Sequence, residues 1–226
     1  MSTSKSLALG LLAVGTLVAG APVASAAVIL SNGSSGFYNS GLGISLDTSG
    51  VSDPFPCANI ACGDATVSYP TAPNLSAAAA TLGTWLTNAA PTGGTWSATQ
   101  IAIPLNWAIN DETAISYAFN SSFGYDNLSL RLGVDNGVFV WLNGSYLFGA
   151  RAGGGSALGE YGPLALGSVG GGTNFLQILR EDHGGATGFD IELTGDARRT
   201  AVPEPGTLAL LGLGLAGLGF ARRRQR

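Results

Sequence analysis

Two apolar runs meet across an Asn-Gly step: Val138-Phe139-Val140-Trp141-Leu142 leads into Asn143-Gly144, and Ser145-Tyr146-Leu147-Phe148 follows. That step limits what the chain can fold into. Both central residues of a type I′ turn need positive φ, which Asn and Gly supply most cheaply, so the segment reads as a β-hairpin. The same two-residue period recurs elsewhere. Ile115, Tyr117 and Phe119 share one face of 113–119; Leu128, Leu130 and Leu132 repeat the pattern. Segments 174–179 and 188–193 supply two more strands, joined through Asp182-His183-Gly184-Gly185. Ile101-Ala102-Ile103-Pro104-Leu105 has strand density, with Pro104 confining its end to a sheet edge. Segment 27–73, rich in Gly, Ser, Asn and Pro, reads as short strands and ordered loops. One stretch changes period. Asn74 offers an N-cap, Ala78, Leu82, Trp85, Leu86 and Ala89 fall at helical spacing, and Asn88 and Pro91 close it, which predicts the one helix of the body. Short strands, frequent Gly turns and little helix predict a mainly β fold, an antiparallel β-sandwich with one short helix.

The two ends of the chain differ from this body. Lys5 precedes a Gly-interrupted apolar run over 7–19, and Ala24-Ser25-Ala26 forms an A-x-A cleavage site, so 1–26 reads as a signal peptide. At the other end, 201–226 holds Pro203-Glu204-Pro205, an uncharged apolar run over 208–221, and Arg222-Arg223-Arg224-Gln225-Arg226. The prolines keep a helix from running back through the motif. The fourteen-residue run is expected to be a transmembrane segment, although at roughly 21 Å it is short against a hydrocarbon core of about 30 Å. Its four glycines weaken it further. The closing arginines are expected to stay beside anionic headgroups on the cytoplasmic side.

Between the ends lies one body, 27–200, long enough for a full core. It carries five arginines and no lysine against thirteen carboxylates, a formal charge of −8. With nothing to neutralise phosphates, nucleic-acid binding is excluded as a function class. Both cysteines, Cys57 and Cys62, sit in a Pro/Asn/Gly loop. In an oxidising compartment that spacing reads as a local disulfide; it is not C-x-x-C, and no further Cys or His lies near to complete a metal site.

The tail, with Pro203, Glu204 and Pro205 in place, resembles the PEP-CTERM sorting signal of bacterial exported proteins. The resemblance implies export, transient residence in the inner membrane, and cutting near Pro203-Glu204-Pro205 by an exosortase-type enzyme, with delivery to the cell surface or extracellular matrix. A second resemblance covers about 96–195. Asp135-Asn136-Gly137 leading through the strand to Asn143-Gly144, then Gly172-Thr173-Asn174-Phe175-Leu176, is similar to galactose-binding-like jelly-roll domains. It implies a jelly-roll sandwich and leaves the ligand open, since such folds host many functions.

Chemistry-bearing residues are sparse. The sole histidine, His183, lies in Arg180-Glu181-Asp182-His183-Gly184-Gly185, and no G-x-S-x-G is present. Asp182 or His183 reads first as a polar turn bonding its own loop. Catalysis is not expected, and no cofactor is assigned. Calcium is the ion that the hard oxygens of Asp126, Asn127, Asp135, Asn136 and Asp182 would suit, without EF-hand spacing. For a sugar ligand, Tyr146, Arg151 and Tyr161 near the hairpin and the glycine run, together with Asp182 and His183, are the candidate contacts, because loops carry binding groups. The expected role is structural or adhesive, with extracellular polysaccharide as partner; the alternative is a secreted carbohydrate-active enzyme or its sugar-binding module.

Overall fold

Two long strands organise the body. The computed structural model describes residues 26–46, 66–152, 155–182, 184–199 and 207–224. The signal segment up to 25, the Cys57/Cys62 loop, His183 and the Pro203-Glu204-Pro205 motif lie outside the described residues. Strands β1 (Ala27–Ser31), β2 (Ser35–Gly43), β3 (Val67–Ser68), β4 (Ile101–Ala102), β5 (Glu112–Asp135), β6 (Gly137–Leu142), β7 (Ser145–Arg151), β8 (Tyr161–Glu181) and β9 (Gly188–Ala197) pair antiparallel throughout. Their order is β1-β9-β5-β8-β6-β7-β3, with β2 beside β5 and β4 beside β2. The fold is mainly β, as the two-residue period predicts.

Strands β5 and β8 pair along nearly their whole length, from Thr113↔Arg180 to Leu132↔Tyr161, and the register slips between Ser121 and Gly124. There the pair bends through a corner rich in glycine. Gly124 has φ +98°, and a Cβ on it would lie 2.1 Å from the Val169 carbonyl oxygen. Before the corner, β5 pairs with β2; after it, with β9. Strand β6 joins only the far half of β8. The one sheet thus folds over on itself into two layers. Ile115, Tyr117 and Phe119 from one half share a buried cluster with Leu128, Leu130, Leu132, Val140, Ile178 and Leu193. At about 25 cal/mol per Å² of apolar surface, this shared interior is the main favourable term.

A second cluster covers the outer face of the β6 layer. Phe139 and Trp141, which alternate with the inward Val138 and Val140, pack there with Leu42, Ala78, Leu82, Trp85 and Leu179. The Asn-Gly turn forms as expected, with φ +51° at Asn143 and +77° at Gly144. It is tied to β8: Phe175 N–H donates to Asn143 Oδ1 (2.9 Å), and Asn143 Nδ2 donates to Asn174 Oδ1 (2.8 Å).

Two expectations are corrected. The helix expected over 74–89 is a single 3₁₀ turn (Ser76–Ala78) running into α1 (Ala79–Leu82). Gly83, at φ +54°, ends it, and Thr84 N–H donates to Thr92 O instead of continuing the helix. The predicted apolar face survives without the helix. Ala78, Leu82 and Trp85 are buried, and Trp85 Nε1 donates to Ile115 O at 3.0 Å. In the tail, α2 (Thr207–Arg224) forms over the apolar run. It does not qualify as the expected transmembrane segment: no helix among the described residues is long and apolar enough to cross a membrane. Arg222, Arg223 and Arg224 occupy its last turn, leaving an apolar length of roughly 22 Å.

Candidate functional site

The two layers give the body two poles. One is the corner where β5 and β8 bend. The other, about 30 Å away at 3.3 Å per residue along β5, is the mouth where β5 ends, β6 starts and β8 ends. Most of the sequence-selected polar residues gather at the mouth. Arg151 and Glu181 both stand opposite Gly137, and both are buried. Asn136 N–H donates to Glu181 O at 2.8 Å, and Ala152 N–H to Asn136 O at 3.3 Å. The Tyr161 hydroxyl donates to the same Asn136 oxygen at 2.5 Å. Burial pushes the Tyr161 pKa above the usual phenol range, and the carboxylates of Glu160, Glu181 and Asp135 add to that. Glu160 accepts from Val134 N–H (3.4 Å), and its pKa is raised, first by burial and then by Asp135.

Asp182 closes the mouth. Its Oδ2 accepts from Asn110 N–H (2.7 Å) and Gly184 N–H (2.9 Å), so it pins the segment 104–111 across the end of the sandwich. That strap is fixed again at its centre. Trp107 N–H donates to Thr187 Oγ1 (3.0 Å), Thr187 Oγ1 donates to Trp107 O (3.1 Å), and Trp107 Nε1 donates to Asp111 O (2.8 Å).

Beneath the strap is a group that sequence reasoning missed. Arg180 follows Leu176 and Ile178 on the inward face of β8 and is fully buried. Its guanidinium lies 4.1 Å from the Trp107 ring centroid, 4.7 Å from Phe189 and 5.6 Å from Tyr38. Nε donates to Thr113 Oγ1 at 2.8 Å, while among the described residues no hydrogen-bond partner of ordinary geometry meets either terminal nitrogen. Burial lowers the Arg180 pKa, and Tyr38 and Tyr117 oppose that. The signal was present in the sequence, in the period-two placement of Arg180 with two apolar residues. A guanidinium has no acceptor and does not titrate near neutrality, so this group offers charge and aromatic stacking rather than proton transfer.

The other selected residues lie apart. Tyr146 is at the hairpin end of β7, 5.6 Å from the Trp141 ring centroid. Its hydroxyl donates to Tyr69 O at 2.5 Å, and burial pushes its pKa up to about 12. Asp126 is at the corner pole, away from Asp135, Asn136 and Asp182 at the mouth. It accepts from Arg198 Nη2 (2.6 Å), Arg198 Nε (2.9 Å) and Ser168 Oγ (2.8 Å), and Arg198 lowers its pKa to about 2. The Asn127 amide donates to Asp196 at 2.8 Å. Asp126 and Asn127 thus stand apart from Asp135, Asn136 and Asp182, and no group of three or more His, Cys, Asp or Glu side chains that could hold a metal ion occurs among the described residues.

The second functional element is the tail. In α2 the side chains of Leu210, Leu211, Leu213, Leu215, Leu218 and Phe220 are each more than half exposed. This exposed apolar helix, closed by arginines, is not packed into the core of the body. Residues 201–225 match the PEP-CTERM protein-sorting motif. The PEP-CTERM motif marks an exported protein with a membrane-anchored sorting signal. No curated protein matches the chain. Two solved structures are similar over part of it. One is a PA14 sugar-binding domain from an RTX adhesin, 16% identical, TM-score 0.26, covering 45% of this chain and 52% of that one. The other is the PA14 domain of the MpAFP antifreeze protein, 14% identical, TM-score 0.28, covering 48% and 52%. The chain spans about half the length of each.

Proposed function

We propose that this is a non-catalytic protein of the cell surface or extracellular matrix, structural or adhesive, that an exosortase-type enzyme trims near Pro203-Glu204-Pro205. The match of residues 201–225 to the PEP-CTERM motif carries this reading. Mass spectrometry of the protein recovered from the cell surface is expected to find a C-terminus near 203–205. Recovery of the chain with Arg226 still attached would overturn the processing step.

The body is read as engaging extracellular polysaccharide. The support is the outward face of the β9 layer, where Asp190, Glu192 and Thr194 alternate with buried Ile191 and Leu193 beside Ser129 and Arg131. Arg131 pairs with Glu192 at 3.4 Å. Such a polar face offers donors and acceptors for sugar hydroxyls. A glycan screen of the surface-released protein, followed by incubation of each hit, tests this. Binding without cleavage is expected. Cleavage abolished by Glu160→Gln would favour a carbohydrate-active enzyme instead.

A further inference from the structure

The chain leaves the body at the corner pole. Arg198 N–H donates to Gly124 O at 3.0 Å, and the Arg198 guanidinium holds Asp126 on the same strand. Ala27, where the sequence reading starts the mature chain, arrives at the same end, opposite Gly195. Next to Gly124 is Phe123, 50% exposed, on a corner whose other residues are Ser121, Ser122, Gly170, Gly171 and Gly172. Half of the Phe123 side chain thus stands out to solvent among serines and glycines.

Charge separates the two poles. At the corner, Arg198 and Arg199 face Asp126 and Asp196, which balance. At the mouth, Asp111, Glu112, Asp135, Glu160, Glu181 and Asp182 outnumber Arg151 and Arg180. The body's remaining arginine, Arg131, is paired with Glu192. The corner is therefore the end that anionic headgroups repel least. From Arg199 to the start of α2 at Thr207 the chain reaches at most about 27 Å even when fully extended. A tether that short gives a millimolar effective concentration, which favours contact of the corner with the bilayer over that of an untethered body.

We propose that the corner pole is seated on the bilayer surface, with the Phe123 ring in the headgroup region, while the tail holds the uncut chain at the membrane; this rests on the sorting reading above. The mouth, with Asp182 and the Trp107 strap, then points away from the membrane.

The test uses the full-length chain in vesicles of phosphatidylglycerol and phosphatidylcholine. Phe123→Trp, measured against the parent chain, is expected to show blue-shifted emission and loss of that added emission to a lipid-borne quencher placed near the headgroups. Ile109→Trp, on the strap beside Asn110, is expected to remain unquenched. A chain that floats with the vesicles while Trp at 123 stays aqueous, or while Trp at 109 is quenched instead, sinks the proposal and leaves the sorting reading intact. Failure to float at all sinks both.

Discussion

Arg180 is a costly residue for the body to keep. Its charge is removed from water, three aromatic rings surround it, and its terminal nitrogens have no ordinary hydrogen-bond partner among the described residues. A buried charge of this kind contributes less than its contacts suggest, because desolvation offsets them. Its volume and its ring contacts are what the core needs. Arg180→Ala is therefore expected to destabilise by about 3 kcal/mol or more through the cavity it leaves. Arg180→Met, which fills the space and discards the charge, should cost far less in urea unfolding. If the two variants unfold alike, the charge rather than the packing holds the mouth together. Asp126 is the opposite case, exposed and paired with Arg198. Its pKa is lowered to about 2 from 3.8, so the pair stabilises the fold above the unfolded value and is lost as pH falls through the folded one. Melting temperature measured from pH 7 to pH 2 should be slightly lower in Asp126→Asn than in the parent near neutrality, and the two should converge as pH falls toward 2.

At the scale of elements, the corner decides whether β5 and β8 make one flat ribbon or two layers. Gly124 sits at φ +98°, with no room for a Cβ beside the Val169 carbonyl. Gly124→Ala should cost about 2 kcal/mol or more, read as a lowered denaturant midpoint. A neutral result would mean that the bend is set elsewhere. This corner is also where sequence reading stopped. The alternation of Ile115, Tyr117 and Phe119, and of Leu128, Leu130 and Leu132, was legible as two strands, but nothing local says that a single strand carries both. Strand continuity through a bend is set by pairing with β8, a long-range contact, and the Gly170-Gly171-Gly172 half of that pairing reads locally as loop. The helix over 74–89 failed for a related reason. Its apolar spacing was right, but Thr92 O and the positive φ of Gly83 redirected the backbone. At the mouth, Asp182 was legible as a polar turn, whereas its bond to Asn110, 72 residues away in sequence, was not.

For the whole molecule, the exit point matters more than any one side chain. Both ends of the described body reach the corner pole, so a membrane-held tail orients the sandwich only as long as the connection is short. Lengthening that connection separates tethering from seating. Inserting roughly 20 Gly/Ser residues between Arg199 and Thr200 makes a flexible spacer. It should lower the effective concentration of the corner at the bilayer about sixfold by the −3/2 power of length. The motif itself is unchanged, so trimming near 203–205 should persist, while quenching of Trp at 123 falls. If quenching is unaffected by the insertion, the corner binds lipid on its own and the short tether is not what orients the body. If trimming is lost, the enzyme requires the body close to the motif, and the seated corner is part of what it recognises.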